Sequence, residues 1–367
     1  MKRTRRSKGI TRKGGKFIFS GAYGCAFKPA IKCRDQATRK NGYISKIMNS
    51  KYANIELQAV SLLKSIDKDF KYFVYPDEIC SPEPHKTNGI LACKLSFKHP
   101  VALLSPYGGV NLEILPLSTP EDIPELFEGI VNVFSGLELL HTNNYIHNDI
   151  KPPNIVASRN SYSGTYSVRI IDFGLMAKIT EYVNKPTTKS YVYYPYDIRL
   201  LSDTYVPTKE NIDEFYYNLS YGNFPMWTYY TNDKETIHIK WVLSLWQKMN
   251  TDEARLHVVK QCDVYSLGRT IFELYNRLTG HTFVNSTTVN GDVTFLNAQG
   301  NETLRKDASL PLFSLVKKMC DPDPFIRIGL TEAKAEFIGL MPAFKAAFGV
   351  KPEHNEGGAP TLANLQI

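Results

Sequence analysis

The spacing of apolar residues changes character once along this chain, and that change limits what it can fold into. From residue 17 to about 93 the apolar residues come in short runs, "KFIFS", "YGCAF", "YISKIM" and "YFVYP". Each run is aromatic or β-branched and bounded by Gly, Pro or Asn, which reads as a strand. One helix interrupts them: in "YANIELQAVSLLKSI" residues 56, 60 and 63 share a face, at i, i+4 and i+7. Residues 100–115 read as another strand followed by the glycine turn "SPYGGVNL". From 121 to 142 the spacing becomes helical, with Pro124 near the helix start. Two strands, "NIVAS" and "SVRIIDFG", flank a turn at 158–167, and helical stretches follow around 234–250, 262–278, 310–319 and 331–345. No internal repeat is visible. The expected class is α+β, a small strand-rich lobe followed by a larger helix-rich one.

The 367 residues suffice for one large domain or for two lobes with sizeable cores. Apolar residues make up 43% and charged residues 22%, a balance typical of soluble globular chains. No apolar run approaches the roughly 20 residues that span a bilayer. No apolar stretch follows the basic N-terminus, so no secretory signal is expected. Cys25, Cys33, Cys80, Cys93, Cys262 and Cys320 form no C-x-x-C pair. Reduced thiols in a cytosol-like compartment are therefore expected, not a disulfide framework or zinc module.

Charge is informative once located. Residues 1–16, "MKRTRRSKGITRKGGK", hold eight Lys or Arg and no acid, and the net charge is +8, so residues 17–367 balance to zero. This arm reads either as a disordered solubilising tail or as a polybasic segment for nucleic acid, nuclear import or an acidic partner. The rest of the chain gives no sign of nucleic-acid binding. The final "KPEHNEGGAPTLANLQI" is expected to be a loose tail.

Several polar residues sit where packing has no use for them. In "FSGAYGCAF" (19–27), Gly21 and Gly24 lie between two strand-like runs, where a tight turn can expose backbone N–H groups to phosphate oxygens. Lys46 stands mid-strand in "YISKIM" and must reach solvent or a partner. Glu56 is the sole Glu between Lys46 and Glu78, and it shares its face with Val60 and Leu63. A solvated lysine and a solvated glutamate are the bland alternative. In "HNDIKPPNI" (147–155), Asp149 could accept a hydroxyl proton while Lys151 balances charge on a phosphoryl group. Asp172 closes the apolar strand "IID", and with Asn154 it makes an all-oxygen site suited to Mg²⁺ bridging phosphates.

Taken in order, Gly-x-x-Gly, strand Lys, helix Glu, His-x-Asp-x-Lys-x-x-Asn and Asp-Phe-Gly resemble the eukaryotic-type protein kinase domain. "SYVYYPYD" (190–197) resembles the end of an activation segment, with Ser190 and Tyr193 where the family has Thr and Tyr. "CDVYSLGRTIFEL" is similar to the family's buried central helix, and Asp263 is the residue that ties it to the catalytic loop. "DPFIRIGLTEA" (323–333) resembles the late Asp-Pro-x-x-Arg motif, so Arg327 is expected to pair with Asp197. The resemblance covers roughly residues 17–345.

The resemblance implies a bilobal kinase-like fold, with an N-lobe over about 17–107, a C-lobe over about 108–345 and an insert over about 203–255. It places Ile18, Gly21, Ala22, Tyr23, Gly24 and Ala26 around ATP, with Gly21 and Gly24 over its phosphates. Lys46, held by Glu56, faces the α and β phosphates. Asp149 is the catalytic base, with Lys151 and Asn154 beside it; Asn154 and Asp172 hold Mg²⁺, with Mn²⁺ as an alternative. His147 is structural, stacking with Phe173 and Val60. Lys151 and Ser190 fit the Ser/Thr branch. The implied activity is ATP- and Mg-dependent phosphorylation of protein Ser/Thr hydroxyls. A non-catalytic scaffold would usually lack Lys46, Asp149 or Asp172, and a small-molecule phosphotransferase the Lys-Pro-x-Asn form and the late Arg.

Some residues depart from the family pattern. Phe19 replaces the first glycine, Lys46 and Glu56 are only ten residues apart, and Asp197 replaces Glu. The insert, with "FYYNLSYGNFPMWTYY", reads as a packed elaboration or as a surface for a substrate or partner. Asn148 stands where kinases switched by activation-loop phosphorylation carry Arg, so activity independent of that switch is expected. Thr187, Thr188, Ser190 and Tyr191 are the hydroxyls open to modification there. The phrases "FSGAYGCAFKPAIKC", "YISKIM", "SPYGGVNL" and "YVYYP" resemble kinases of large nucleocytoplasmic DNA viruses. That resemblance implies a host-cell cytoplasmic or virion setting, with a nuclear one open through the basic arm, and no secretion.

Overall fold

The computed structural model describes residues 15–348 apart from 22, 37, 39, 84–92, 94, 96, 118, 120–121, 188–190, 203, 206–207, 209, 211–235, 280–281, 285–293 and 297–305. Most of the basic arm, the last residues, much of the expected insert, Ala22, Thr188 and Ser190 therefore lie outside the described residues.

The strand-like runs build one antiparallel sheet. Its strands are β1 (Lys16–Ser20), β2 (Gly24–Lys28), β3 (Tyr43–Asn49), β4 (Glu78–Cys80) and β5 (Pro100–Pro106), in the order β1-β2-β3-β5-β4. Helix α1 (Ser50–Ile66) leaves β3 without a linker, which is how Lys46 and Glu56 meet across only ten residues. It buries Ala53, Ala59, Val60 and Leu63 together with Glu56. Burying the two larger aliphatic side chains, Val60 and Leu63, is worth about 1.5–3 kcal/mol each.

"YFVYP" is not a strand. Both carboxylate oxygens of Asp67 accept the backbone N–H groups of Lys71, Tyr72 and Phe73, each at 2.9 Å, and wind this stretch into a turn. A local side-chain acceptor thus outcompetes the ladder that the residue types favour. Phe73 keeps only an isolated parallel bridge to Ile170, which ties the stretch to the second half of the chain.

The thiol expectation is also corrected: Cys25 is bonded to Cys93 and Cys33 to Cys80, while Cys262 and Cys320 are free and buried. The partners lie 68 and 47 residues apart, so no local spacing betrays them; the folding of the sheet brings them together.

Past residue 106 helices dominate. β6 (Val110–Asn111), β8 (Ile155–Arg159) and β9 (Tyr166–Ile170) form a three-stranded sheet, and β7 (Tyr145–Ile146) pairs with β10 (Ala177–Lys178). Around them lie α2 (Asp122–Thr142), the short α3 (Ile179–Tyr182), α4 (Thr236–Lys248), α5 (Asp252–Thr279), α6 (Lys306–Met319) and α7 (Leu330–Ala347), with a hairpin of β11 (Thr282–Val284) and β12 (Thr294–Leu296). α5 starts ten residues earlier than its apolar pattern suggests, because Asp252 and Glu253 in the first turn suit the positive end of the helix dipole. The core centres on Phe127, which stacks on Phe344 at 5.0 Å and on Phe337 at 6.4 Å. Gly109 makes the turn before β6 with φ +124°, and a Cβ there would fall on the Ala157 carbonyl.

Candidate active site

A cavity of about 680 Å³ opens between the five-stranded sheet and the 147–155 loop, lined by Gly21, Gly24, Lys46, Asp149, Asn154 and Asp172 among others. Its roof is the β1–β2 turn, closed by the Gly21 N–H donating to the Gly24 carbonyl at 2.9 Å. Gly24 lets β2 run close to β3: a Cβ would sit 2.8 Å from the Ile47 carbonyl oxygen. The Tyr23 ring lies 4.5 Å from that of Tyr52 on α1, joining roof to helix.

Lys46 sits mid-strand, opposite Ala26 on β2 and Leu103 on β5. Its Nζ is 2.8 Å from Glu56 Oε1 and 3.1 Å from Asp172 Oδ1. Burial alone would lower the ammonium, but Asp172 and Glu56 outweigh it and hold the pKa raised. The same balance runs the other way for Asp172, where Lys46 overcomes burial and holds the carboxyl below its usual range. Glu56 is itself buried and raised by that burial. Asp172 is different: its side chain is 40% exposed, turned to the cavity.

The 147–155 loop forms the floor. Lys151 Nζ is 2.9 Å from Asp149 Oδ1. Asn154 Nδ2 donates to the Asp149 carbonyl at 2.9 Å and to its carboxylate at 2.7 Å. Because the amide nitrogen is spent on Asp149, the end of Asn154 left over is its carbonyl oxygen. The Ile171 N–H donates to the Asn154 backbone carbonyl at 2.9 Å, joining this loop to the segment that carries Asp172. Asn148 and Asp172 both hold φ near +60°, at 59° and 66°. Non-glycine residues persist there only where surrounding bonds over-determine them.

Asp263 supplies many of those bonds. Fully buried on α5, it accepts the backbone N–H groups of His147 and Asn148, both at 2.9 Å, and faces His141 Nε2 at 3.1 Å. Burial would raise this carboxyl; His141 and the amides prevail and lower it. His147 meets Phe173 edge to face at 5.3 Å, and its Nε2 faces the Ile171 carbonyl at 3.2 Å while Nδ1 accepts the Asp149 N–H at 3.3 Å. Burial lowers its pKa, and these two bonds need the neutral ring. Arg327 and Asp197 pair at 2.8 Å, as expected.

Among the residues singled out from sequence, Gly21, Tyr23, Gly24, Lys46, Glu56, Asp149, Lys151, Asn154 and Asp172 converge on the cavity. Two are not among the lining residues: Ile18, 41% exposed on β1, and Ala26, half-buried and paired opposite Lys46 on β2. Ala22 lies outside the described residues. Met48, Tyr52, Ile55, Glu113, Tyr191 and Tyr194 also line the cavity. Met48 is two residues from Lys46 and Tyr52 four from Glu56, so strand and helix periods could have found them. Glu113 and Tyr191 carry no such signal.

Residues 119–205, which hold α2, the 147–155 loop and Asp172, match the family model described as protein kinase domain. The chain has a protein kinase fold. A 67-residue stretch is 37% identical to the sporulation protein kinase mde3 of Schizosaccharomyces pombe, covering 16% of this chain and 12% of that one. Another of 79 residues is 39% identical to mitogen-activated protein kinase kinase kinase 8 of Rattus norvegicus, covering 22% and 16%. A third, of 104 residues, is 27% identical to a probable serine/threonine-protein kinase of Dictyostelium discoideum, covering 28% and 5%. The chain thus spans under a fifth of the length of these relatives. Within the kinase fold, the matched stretch carries the loop residues and Asp172, whereas Lys46 and Glu56 precede it.

Proposed function

We propose that this protein is a serine/threonine protein kinase that transfers the γ-phosphoryl group of ATP to protein hydroxyls with Mg²⁺ or Mn²⁺. The observation that carries the reading is the Lys46 ammonium bridging Glu56 and Asp172 in the same cavity that Asp149, Lys151 and Asn154 line. A raised ammonium under a glycine turn suits phosphate oxygens. The Asp172 carboxylate and the spare Asn154 carbonyl are hard oxygen donors, the set that Mg²⁺ shares with nucleotide phosphates.

When bound, Mg²⁺–ATP supplies the electrophilic phosphorus and screens its charge. The chain's own residues do the rest. Lys46 fixes the phosphates, and Glu56 fixes Lys46. Asp149 accepts the proton of the attacking hydroxyl, with its carboxylate oriented by Asn154 and Lys151. Asp263 clamps the loop, so that this orientation costs no rearrangement when the substrate arrives.

Ser/Thr specificity rests on Lys151 and on the partial likeness to the Dictyostelium discoideum relative that carries that description. The reading includes independence from activation-segment phosphorylation. Asn148 is buried and neutral; its carbonyl accepts the Tyr194 hydroxyl at 3.0 Å, a segment anchor that needs no phosphate. It also includes the likeness to kinases of large DNA viruses, carried by phrases such as "FSGAYGCAFKPAIKC".

The test is transfer of labelled phosphate from ATP with Mg²⁺ or Mn²⁺ to basic test proteins, comparing the full chain with Asp149→Asn. The variant should bind nucleotide yet lose about 100-fold or more in rate. A wild-type chain that labels neither itself nor any test protein would overturn the reading.

A further inference from the structure

Four of the six cysteines belong to one small core. Cys25, Cys33 and Cys93 are buried in it with Phe27 and Ile31, and Cys80 packs against its edge. Strand register sets this core on the face of the five-stranded sheet turned away from the cavity. Cys25 stands opposite Ile47, and Ile47 opposite Ala102, all three in the cystine core. The neighbours of Ile47 along β3, Lys46 and Met48, point to the other face and line the cavity. One layer of backbone therefore separates the bridges from the site that holds Lys46.

The link to the roof is closer still. Cys25 follows Gly24, whose carbonyl closes the β1–β2 turn, and its Sγ lies 3.5 Å from Oγ of Ser20, a residue of the cavity lining. The Cys25–Cys93 bond thus fastens the roof strand β2 to a segment 68 residues further on. The two bridges differ in access: Cys25 and Cys33 are fully buried and Cys93 nearly so, whereas Cys80 is half-buried on β4. A thiolate must reach a sulfur to open a bridge, so attack begins at Cys80. Ile31 and Cys33 lie on the loop that covers the same core, with the Ile31 N–H donating to Ser45 Oγ at 2.9 Å. Opening Cys33–Cys80 loosens this cover and lays Cys25–Cys93 open to the same reagent. Cys262 and Cys320 lie apart, buried in the larger core.

We propose that the cystine pair is a thiol–disulfide exchange site for a dithiol reductant, with Cys80 as its entry, and that its state sets the affinity for ATP. The proposal rests on the nucleotide-binding part of the kinase reading above. A thiolate of the reductant attacks Cys80 Sγ, forms a mixed disulfide there and expels Cys33 as thiolate. The second thiol of the reductant then displaces Cys80 and closes the reductant's own disulfide. Two electrons pass to the bridge, and the two protons lost by the reductant go to the cysteine thiolates. The same exchange follows at Cys25–Cys93. Bridged, β2 holds the turn over the phosphates. Opened, the turn is ordered for only part of the time, and the affinity falls by that fraction.

The experiment uses the full chain, oxidised and then reduced with dithiothreitol, its redox state read by alkylation in denaturant. Binding of a fluorescent ATP analogue with Mg²⁺ should weaken about fivefold or more on reduction and recover on reoxidation. The double variant Cys25→Ala with Cys93→Ala should bind as the reduced chain does and ignore dithiothreitol. In Cys33→Ala with Cys80→Ala, the loss on reduction should set in faster than in wild type, because the cover is already loose. Equal affinity of the oxidised and reduced chains, a Cys25→Ala/Cys93→Ala chain that still responds, or an onset no faster without Cys33–Cys80 would overturn the proposal. Hydrogen exchange judges it without nucleotide: reduction should speed exchange across residues 16–28 and leave α2 unchanged. Exchange sped equally in both means that the whole chain unfolds, and unchanged exchange in 16–28 means that the bridges do not govern the roof; either refutes the proposal. If neither form binds nucleotide, the kinase reading fails, and hydrogen exchange alone decides whether the bridges control the roof.

Discussion

Arg327 and Asp197 meet as a fully enclosed ion pair, with Nη2 2.8 Å and Nη1 3.4 Å from the two carboxylate oxygens. The guanidinium also bonds to backbone, where Nε donates to the Asp321 carbonyl at 2.8 Å and Nη1 to that of Gln261 at 3.0 Å, and it lies over the Tyr265 ring at 5.4 Å. The pair thereby pins the turn at Tyr196–Leu201 to α5 and to the stretch before α7. Asp197 is one methylene shorter than the residue the family places there, and the turn closes the difference.

Removing one member should cost more than the pair is worth. Arg327→Ala leaves a carboxylate with no water and no cation, a loss of about 3–5 kcal/mol. The double variant Arg327→Met with Asp197→Leu should recover much of it, since no charge is stranded. Urea unfolding of the three chains decides; a single variant costing under about 1 kcal/mol would mean that water reaches the site.

His147 makes stability depend on pH. Its ordinary pKa of 6.5 applies in the unfolded chain, and burial lowers it in the fold. Between those values the unfolded chain binds more protons, so stability is full above about pH 6.5 and declines as pH falls below it. Protonating Nδ1 would also break its bond from the Asp149 N–H. Unfolding free energies at pH 7.5, 6.5 and 5.5 should slope less steeply in His147→Phe than in wild type. Identical slopes would assign the pH dependence to carboxylates such as Asp263 instead.

Lys46 holds two carboxylates from different parts of the chain, Glu56 from α1 and Asp172 from the stretch after β9. Lys46→Met strands both, and phosphate transfer should fall by about 100-fold or more, the scale of losing one preorganised charge in a dry site. Glu56→Gln keeps the lysine and one hydrogen bond, so its loss should be smaller. If the two variants lose equally, Lys46 acts through the position of α1, not through phosphate contact. Thermal unfolding with and without Mg²⁺–ATP separates these outcomes, since only Lys46→Met should abolish the shift.

The bridges Cys25–Cys93 and Cys33–Cys80 cross-link the small sheet over separations of 68 and 47 residues. Closing loops of that length stabilises by about 4 kcal/mol each in the chain-entropy model. Alkylation of the denatured, unreduced protein should label only Cys262 and Cys320, and reductant should lower the thermal midpoint. Six labelled cysteines would refute the bridges.

The parts of the site that announce themselves in the sequence are those where chemistry contradicts packing. Lys46 inside an apolar strand, Asp172 at the end of one and Glu56 on a buried helix face are costly unless they meet, and they do. The strands and helices with clean periods are equally legible. What stays hidden depends on long-range closure. Glu113 and Tyr191 reach the cavity only through the tertiary path of their segments, the cystine partners are too far apart to form a pattern, and the Asp67 turn overrides residues that favour a strand. Ile18 lies outside the lining because a β-bulge between Phe17 and Phe19 alters the face that β1 shows to the cavity, whereas Ala26 stands opposite Lys46 and shares its face.

Asn148 bears on regulation. A phosphorylated activation segment is usually read by a cation next to the catalytic carboxylate. Here that neighbour is a neutral amide, 5% exposed, whose N–H is bound by Asp263 and whose carbonyl is bound by Tyr194. Ties among the described residues of the segment include the Tyr193 hydroxyl to Glu273, the Ser266 hydroxyl to the Tyr193 carbonyl at 2.7 Å, and the Thr187 N–H to the Tyr182 hydroxyl at 3.3 Å. Phosphatase-treated protein should therefore retain its rate within about twofold, and so should the triple variant with Ala at 187, 188 and 190. Tyr194→Phe, by contrast, removes a bond that orients the loop beside Asp149, and should lower kcat about tenfold with little change in the KM for ATP. If dephosphorylation silences the enzyme and Tyr194→Phe does not, the anchor is a phosphate after all, and a cation from elsewhere in the chain must read it.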